Sequence, residues 1–337
     1  MAKSVSVKKQ FELDMAKLKA SFSYKETDKK YKIAQREIAR LSLELETAVQ
    51  FKDSIYTYEI MPKEGSGGEA TAFAVASDWH VAERVKKASV DGSNQYNMRI
   101  AKARAELFFL HTLSLIEKER HAVEINTLVL ALIGDMISGN IHEELLASCE
   151  VPPVEEAMYA QNLLASGIEF LLANSDLTII LPCCVGNHAR ITPKVYASQE
   201  QGNSLEWMIY NNLAKFFAKE KRVKFVLSKS YFTFLTVYGR VIRFSHGHAV
   251  KYGGGIGGLT VPLLKAIARY DLSRPAYLDV LGHFHQRMHH QKFVVNGSLI
   301  GDSPYGKRLG FTGRPEQTFF LIDKKRGATV ACPILVE

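Results

Sequence analysis

The sequence predicts an α/β protein, and three features of the chain support this. Short apolar runs rich in Val, Ile and Phe recur along it, as expected of buried strands. In the first half these runs alternate with longer amphipathic stretches, which indicates βαβ units and a parallel sheet. The second half is richer in strand-like runs, which indicates a second sheet packed on the first. With 337 residues, 47% of them hydrophobic and 23% charged, the chain has the composition of an ordinary globular protein.

The first 60 residues differ from the rest and predict a helical arm. Apolar residues recur there at steps of three and four, forming one stripe on a helix: Tyr31, Ala34, Ile38, Leu41, Leu45 and Ala48. The stripe spans fewer than three heptads, so it does not require a coiled coil. Three roles remain open: a helix lying on the main domain, a homo-oligomerisation arm, or an arm that grips DNA.

A Gly/Ser-rich stretch with a proline, PKEGSGGEAT, follows the arm and reads as a linker. We therefore expect a helical arm over residues 1–61, a linker over 62–70 and the main domain over 71–337. In the main domain nine runs predict strands, at 71–77, 126–134, 177–186, 222–228, 231–239, 240–245, 277–282, 292–298 and 318–323. Four amphipathic stretches predict helices, at 97–120, 153–175, 204–220 and 259–271.

Charge and hydropathy narrow the class of partner. The formal net charge is +8 and the isoelectric point is about 9.1, which favours an anionic partner, nucleic acid being the usual one. No run of about 18 apolar residues suggests a membrane span, and the basic N-terminus lacks the apolar core of a signal peptide. The four cysteines have no metal-binding spacing and fit a reducing compartment. We expect a cytoplasmic protein that binds DNA and no membrane.

Polar side chains follow five of the predicted strands, each at the point where the strand ends. They are Asp78 and His80, Asp135, Asn187 and His188, His246, and His283 and His285. In α/β folds the loops at the carboxyl ends of the strands converge, and ligands bind there. Each motif alone is weak, but five of them in the same kind of position predict one shared site.

The residue types in these motifs predict divalent metal ions. Imidazole and carboxylate ligands without thiolates favour Mn, Fe or Zn over a structural zinc cluster. Aspartate can bridge two ions, and asparagine supplies a neutral oxygen. Apart from His188, the motifs contain seven donors, enough for two ions with room left for water and substrate.

The order of the motifs resembles that of the calcineurin-like metallophosphoesterases, over roughly residues 70–325. This resemblance implies a four-layer αββα sandwich with a dinuclear centre, most typically of two Mn²⁺ ions, with Fe or Zn as alternatives. It implies that the first ion is held by Asp78, His80 and His285, the second by Asn187, His246 and His283, and that Asp135 bridges both. The segments GDMISGNIHEEL, KYGGGIGG and VVNGSLIGDSPYG are most similar to the phage-encoded, DNA-repair-exonuclease-like branch, which implies the host cytoplasm.

The same resemblance assigns His188 as the catalytic general acid, near the ions but outside their ligand shell. The family usually has an acidic residue after this histidine, where it orients the ring, and this chain has Ala189. A purely structural histidine is the alternative. Arg190 and Lys251 are the candidate contacts to the substrate phosphate, Lys251 because it lies beside a glycine-rich loop.

Three functions follow from these features. The first is a nuclease that hydrolyses DNA phosphodiester bonds, favoured by the basic charge. The second is a phosphatase or phosphodiesterase acting on proteins or small nucleotides through the same centre. The third is a DNA-binding accessory protein with a degenerate site, which the intact set of ligands argues against.

Overall fold

The computed structural model describes residues 9, 12–17, 27–42, 57–60, 68–141, 143–252, 258–308, 310 and 313–337. The chain divides into two compact units, Met1–Ile55 and Tyr56–Glu337. In the first unit residues 12–17 are helical, and residues 27–42 form helix α1. The predicted stripe positions Leu45 and Ala48, and most of the predicted linker, lie outside the described residues.

The second unit contains two six-stranded sheets and six α-helices within the described residues. The strands are β1 (Thr57–Ile60), β2 (Glu69–Ala76), β3 (Glu124–Leu132), β4 (Thr178–Cys183), β5 (Val223–Leu227), β6 (Thr233–Val237), β7 (Arg240–Phe244), β8 (Leu278–Leu281), β9 (Met288–His289), β10 (Phe293–Val295), β11 (Glu316–Asp323) and β12 (Gly327–Leu335). The helices are α2 (Met98–Arg120), α3 (Glu143–Ser148), α4 (Pro153–Asn174), α5 (Leu205–Phe216), α6 (Thr260–Asp271) and α7 (Pro304–Arg308).

One sheet has the strand order β12-β11-β2-β3-β4-β5. Strands β2 to β5 are parallel, because α2, α4 and α5 carry the chain back between them, whereas β11 and β12 add antiparallel pairs. The other sheet has the order β1-β6-β7-β8-β10-β9 and is also mixed. In it β7, β8 and β10 run parallel to one another.

Three hydrophobic clusters define the layers. The first lies between the β2 sheet and helices α2, α4 and α5, and includes Leu128, Phe108 and Leu164. The second lies between the two sheets and includes Phe73, whose ring stacks on that of Phe320 at 4.5 Å. The third, defined here as the α6 cluster, covers the far face of the β8 sheet with residues of α6. The predicted four-layer αββα sandwich is therefore confirmed.

All nine predicted strands and all four predicted helices of the main domain are present, with ends that differ by a few residues. Strands β1, β9 and β12 and the short helices α3 and α7 have no counterpart in the sequence prediction. The range 57–60, assigned to the arm from sequence, pairs in parallel with β6. A four-residue strand is too short to show a periodicity in the sequence. Pairing with the distant strand β6 stabilises it, and that pairing leaves no local signal. Among the described residues, no helix combines the length and apolarity needed to span a membrane.

Candidate metal centre

The loops that follow β2, β3, β4, β7 and β8 bring the predicted polar side chains together. The backbone there is unusual: seven non-glycine residues of the described chain have positive φ, and five of them are predicted metal ligands. These are Asp78 (56°), His80 (48°), Asp135 (52°), His283 (72°) and His285 (54°). Such conformations cost free energy and persist where the surrounding structure imposes them, which is common at functional sites.

Asp78, His80 and His285 form a first ligand group. Their donor atoms all lie within 4.8 Å of one another, and the Nε2 atom of His285 is 3.3 Å from Oδ1 of Asp78. The turn that carries Asp78 and His80 is anchored by Trp79, whose fully buried indole donates to Gln317 at 3.2 Å. The turn therefore projects two donors toward the site while its central residue packs into the core.

Asp135, His246 and His283 form a second ligand group with the same 4.8 Å limit. Asp135 also lies within that distance of His80 and His188 in a third combination. It thus belongs to groups on both sides of the site, the position expected of a bridging carboxylate.

Three buried atoms in the site that could each bind a metal ion have no hydrogen-bond partner: Nε2 of His80, Oδ1 of Asn187 and Nε2 of His246. Burying a polar atom without a partner is costly, so each such atom in a folded protein needs an explanation. The Nε2 atom of His246 is 2.8 Å from Oδ2 of Asp135 but has no hydrogen bond of acceptable geometry. Two atoms that bind the same metal ion would lie this close together without a hydrogen bond between them. The buried His and Asp residues therefore fit a metal site.

The electrostatics of the site keep two of the candidate ligand imidazoles neutral, the form that binds a metal ion. Burial, with a further contribution from His188, places the pKa of His80 well below its usual value. Burial, assisted by His246, lowers the pKa of His283 to about 3. Burial opposes a charged His246 as well, but the Asp135 carboxylate raises its pKa to about 10. A proton on His246 therefore balances the Asp135 carboxylate, and a bound metal ion would displace that proton.

Backbone carbonyls orient two of the rings. The Nδ1–H group of His246 donates to the carbonyl oxygen of Ile133 at 2.8 Å, so its Nε2 atom faces Asp135. The Nδ1–H group of His188 donates to the carbonyl oxygen of Ser138 at 2.9 Å. Such contacts fix the tautomer and orientation of functional histidines. The ring of His188 therefore has an orienting partner, although Ala189 replaces the usual acid.

Two buried glutamates, which the sequence did not reveal, hold the ligand loops together. The Glu206 carboxylate accepts the amides of Met136 at 2.6 Å and Gly186 at 2.7 Å, joining the loops after β3 and β4. Burial, followed by repulsion from Asp135, raises its pKa to about 8.

Glu156 acts in the same way between the loops after β2 and β3. Its carboxylate accepts the amides of Ser138 at 2.7 Å, Gly139 at 3.0 Å and Ala82 at 3.2 Å. Both glutamates lie on helices and look in the sequence like ordinary surface residues, yet neither has exposed surface. Only the spatial neighbourhood shows their role.

The two predicted phosphate contacts lie outside the cavity at the site. Arg190 directs its guanidinium group at the carbonyl oxygens of Asn187 (2.6 Å), Thr192 (3.2 Å) and Pro193 (3.5 Å). It therefore stabilises its own loop. Lys251 is exposed, and the glycine-rich residues 253–257 after it lie outside the described residues.

A cavity of about 340 Å³ opens beside both ligand groups. His188 and Asn187 line it together with His80, Asp135, His283 and His285. Arg84, from the loop after β2, also lines the cavity and supplies a cation that the sequence did not indicate. The site thus combines clustered metal-type donors with a cavity able to hold a ligand.

No family model matches the sequence, and no curated protein shows significant similarity to it. Solved structures similar to the chain include the hypothetical protein PH1004 from Pyrococcus horikoshii OT3, with 11% identity, 79% of this chain and 89% of that one covered, and a TM-score of 0.39. Wild-type Vps29 from Entamoeba histolytica complexed with Zn²⁺ has 10% identity, coverage of 78% and 99%, and a TM-score of 0.29.

A third similar structure is the sulfate thiohydrolase SoxB from Thermus thermophilus, in complex with glycerol. It has 10% identity, with 82% of this chain and 58% of that chain covered, and a TM-score of 0.32. All three have the calcineurin-like metallophosphoesterase fold. At these identities and TM-scores, the similarity bears on neither the activity nor the ligand of this chain.

Proposed function

We propose that the protein is a metal-dependent phosphoesterase with a dinuclear centre, and that it hydrolyses phosphodiester bonds in DNA. The observation that carries the proposal is the pair of ligand groups linked by Asp135, which belongs to the second group and lies within 4.8 Å of His80 in the first. Around Asp135, buried donor atoms of His80, Asn187 and His246 point into the site without hydrogen-bond partners. Structural polar networks do not leave three such atoms in one place.

The residues divide between two ions. Asp78, His80 and His285 would hold the first, and Asn187, His246 and His283 the second, with Asp135 shared. Two Mn²⁺ ions suit these nitrogen and oxygen donors, with Fe and Zn as alternatives. When bound, the two cations would neutralise charge on the phosphoryl oxygens and lower the pKa of the attacking water.

His188 supplies the general acid. Its ring packs edge-on against that of His80 at 4.7 Å between centroids, and the carbonyl of Ser138 holds Nδ1. The other ring nitrogen of His188, Nε2, is thereby directed away from the carbonyl oxygen of Ser138. In the protonated ring this nitrogen donates a proton to the leaving oxygen, while Asp135, whose Oδ1 accepts the His188 amide at 2.9 Å, keeps the loop in place.

DNA is proposed as the substrate because the net charge of +8 favours a polyanion. The cavity supports a second candidate, a phosphodiesterase of small nucleotides, because its volume of about 340 Å³ suits a small ligand. Both candidates use the same centre and the same bond cleavage.

Purified protein should be incubated with Mn²⁺ and a panel of DNA, nucleotide and phosphoprotein substrates, with and without EDTA. We expect cleavage of DNA that Mn²⁺ activates and EDTA abolishes. Asp135→Asn should abolish activity and reduce the bound metal measured by elemental analysis, with the domain still folded because asparagine tolerates positive φ. Full activity in this variant would overturn the dinuclear site, and nucleotide cleavage without DNA cleavage would select the second candidate.

A further inference from the structure

The cavity beside the ligand groups has walls of a different chemistry from its floor. We call the metal-type donors of the lining the floor, and we call its apolar and aromatic side chains the apolar wall, namely Leu145, Val250, Tyr252, Phe284 and Tyr305. A phosphate needs only the floor. The apolar wall therefore has to accommodate whatever is attached to the phosphate.

Most of this wall is fixed by the protein core. Phe284 and Tyr252 pack against the α6 cluster, to which Val250 itself belongs. Val250 and Leu145 are each only 8% exposed. The wall is therefore formed before any ligand binds, which lowers the entropic cost of binding.

Tyr305 differs from the rest of the wall. It lies on α7, and it is 65% exposed although it lines the cavity. An exposed aromatic ring at the mouth of a site is the arrangement on which proteins stack unpaired bases. The exposed Arg84 in the same lining adds a cation for the phosphate.

The acidic residues of the lining restrict the ligand further. Glu83 and Glu144 both line the cavity, and Glu144 is exposed, so its carboxylate would repel additional phosphates beyond the one at the floor. Carboxylates can accept hydrogen bonds from the N–H groups of a neutral base. The volume of about 340 Å³ lies near the lower end of the range of small-ligand pockets, about 300–1,000 Å³, and suits one nucleoside rather than a duplex.

We infer that this cavity binds a single unpaired nucleoside whose attached phosphate lies at the candidate metal centre, with the base against Tyr305. The inference rests on the proposed function, because that function places the phosphate at the floor. It goes further in naming the substrate as a nucleotide unit, free or at an unpaired position of a DNA strand.

Binding tests this directly. Calorimetry in the presence of Mn²⁺ should compare thymidine 5′-monophosphate with 2-deoxyribose 5-phosphate, which lacks only the base. We expect the nucleotide to bind at least about fivefold more tightly, since stacking of a base on an aromatic residue contributes about 1–3 kcal/mol. Equal dissociation constants would overturn the inference.

Variants test whether the ring of Tyr305 causes the preference for the nucleotide. Tyr305→Ala should lower the preference for the nucleotide by about fivefold or more, whereas Tyr305→Phe should retain it because the ring remains. Phe216→Ala is the matched control, since Phe216 lies on α5 with 64% exposure. A preference unchanged in Tyr305→Ala would overturn the role of this ring.

Two chromogenic esters separate failure of the inference from failure of the proposed function. The nitrophenyl ester of thymidine 5′-monophosphate and methyl nitrophenyl phosphate share a leaving group, and we expect a higher kcat/KM for the first. Equal rates on both would refute the nucleoside site and leave the phosphoesterase intact. Hydrolysis of neither, with the binding preference retained, would refute the phosphoesterase alone. Blunt duplex DNA competing as well as single-stranded DNA would refute the unpaired-nucleoside requirement.

Discussion

The ring of His188 is oriented by the backbone of Ser138, whose carbonyl oxygen accepts the Nδ1–H group at 2.9 Å. A carbonyl oxygen can only accept, so this contact determines which nitrogen carries the proton in the neutral ring. Ser138 lies in the loop after β3, and its amide is held in turn by Glu156. The orientation of His188 thus depends on the fold of a neighbouring loop and needs no acidic residue at position 189.

His188→Ala should retain metal but lose turnover by about 10²–10⁴-fold, the usual contribution of a positioned general acid. The loss should shrink for nitrophenyl esters, whose leaving groups need little protonation. Rates on DNA and on a nitrophenyl ester, with metal content, measure this. His121→Ala, which removes an exposed histidine after α2, is the control. An equal loss on both substrates would indicate that His188 binds substrate and donates no proton.

Gly186→Ala should displace Asp135 and reduce metal binding. A β-carbon at Gly186 would overlap both the backbone nitrogen and Oδ1 of Asp135, and Gly134 packs against Gly186 from the other loop. Moving the backbone of these residues costs much more free energy than rotating a side chain, so the loops after β3 and β4 must separate. Gly202→Ala is the matched control, since nothing lies within 4 Å of its added β-carbon. Metal affinity measured by titration with Mn²⁺ should fall in Gly186→Ala only, and unaltered affinity there would contradict the packing argument.

Glu206→Gln should lower both stability and metal affinity. The glutamine amide group can accept from only one of the two amides, Met136 or Gly186, that the carboxylate now satisfies. A buried donor left unsatisfied costs about 1–3 kcal/mol. Denaturant unfolding and Mn²⁺ titration measure the two effects, with Glu169→Gln on the exposed face of α4 as control. If stability and metal affinity both matched the wild type, the bridging role would be wrong.

Deletion of residues 1–55 should leave hydrolysis of a small chromogenic ester nearly unchanged, because the predicted ligands all lie in the second unit. If the arm grips DNA, cleavage of DNA should weaken and its salt dependence should flatten, since fewer counterions are released. If it pairs subunits, the mass of the assembly in solution should fall instead.

A longer deletion, through Gly68, provides the comparison. It also removes β1, which pairs with β6, so the melting temperature should drop relative to the shorter deletion. Equal melting temperatures would show that β1 contributes little to its sheet. A stable protein lacking residues 1–55, with unchanged DNA cleavage, salt dependence and mass, would exclude both roles of the arm.

The sequence by itself determined the α/β class, the main strands and helices, and the set of candidate ligands. Strands such as β3 and β8 are buried on both faces, so their apolar runs stand out. The polar residues that end them stand out for the same reason. Asp135 and His283 could therefore be recognised from the sequence once all five motifs were compared, without any knowledge of their spatial neighbours.

Only the tertiary structure decided how those residues act together. The short strand β1 forms because β6 offers it a partner, and Glu206 is buried where the backbone amides of two loops donate to it; neither fact has a local signal. The same holds for Arg190, whose charge suggested phosphate but whose guanidinium group meets backbone carbonyls. Hydrophobic periodicity is a property of neighbours along the chain, whereas hydrogen-bond partners and cavity walls such as Tyr305 come from segments far apart in sequence.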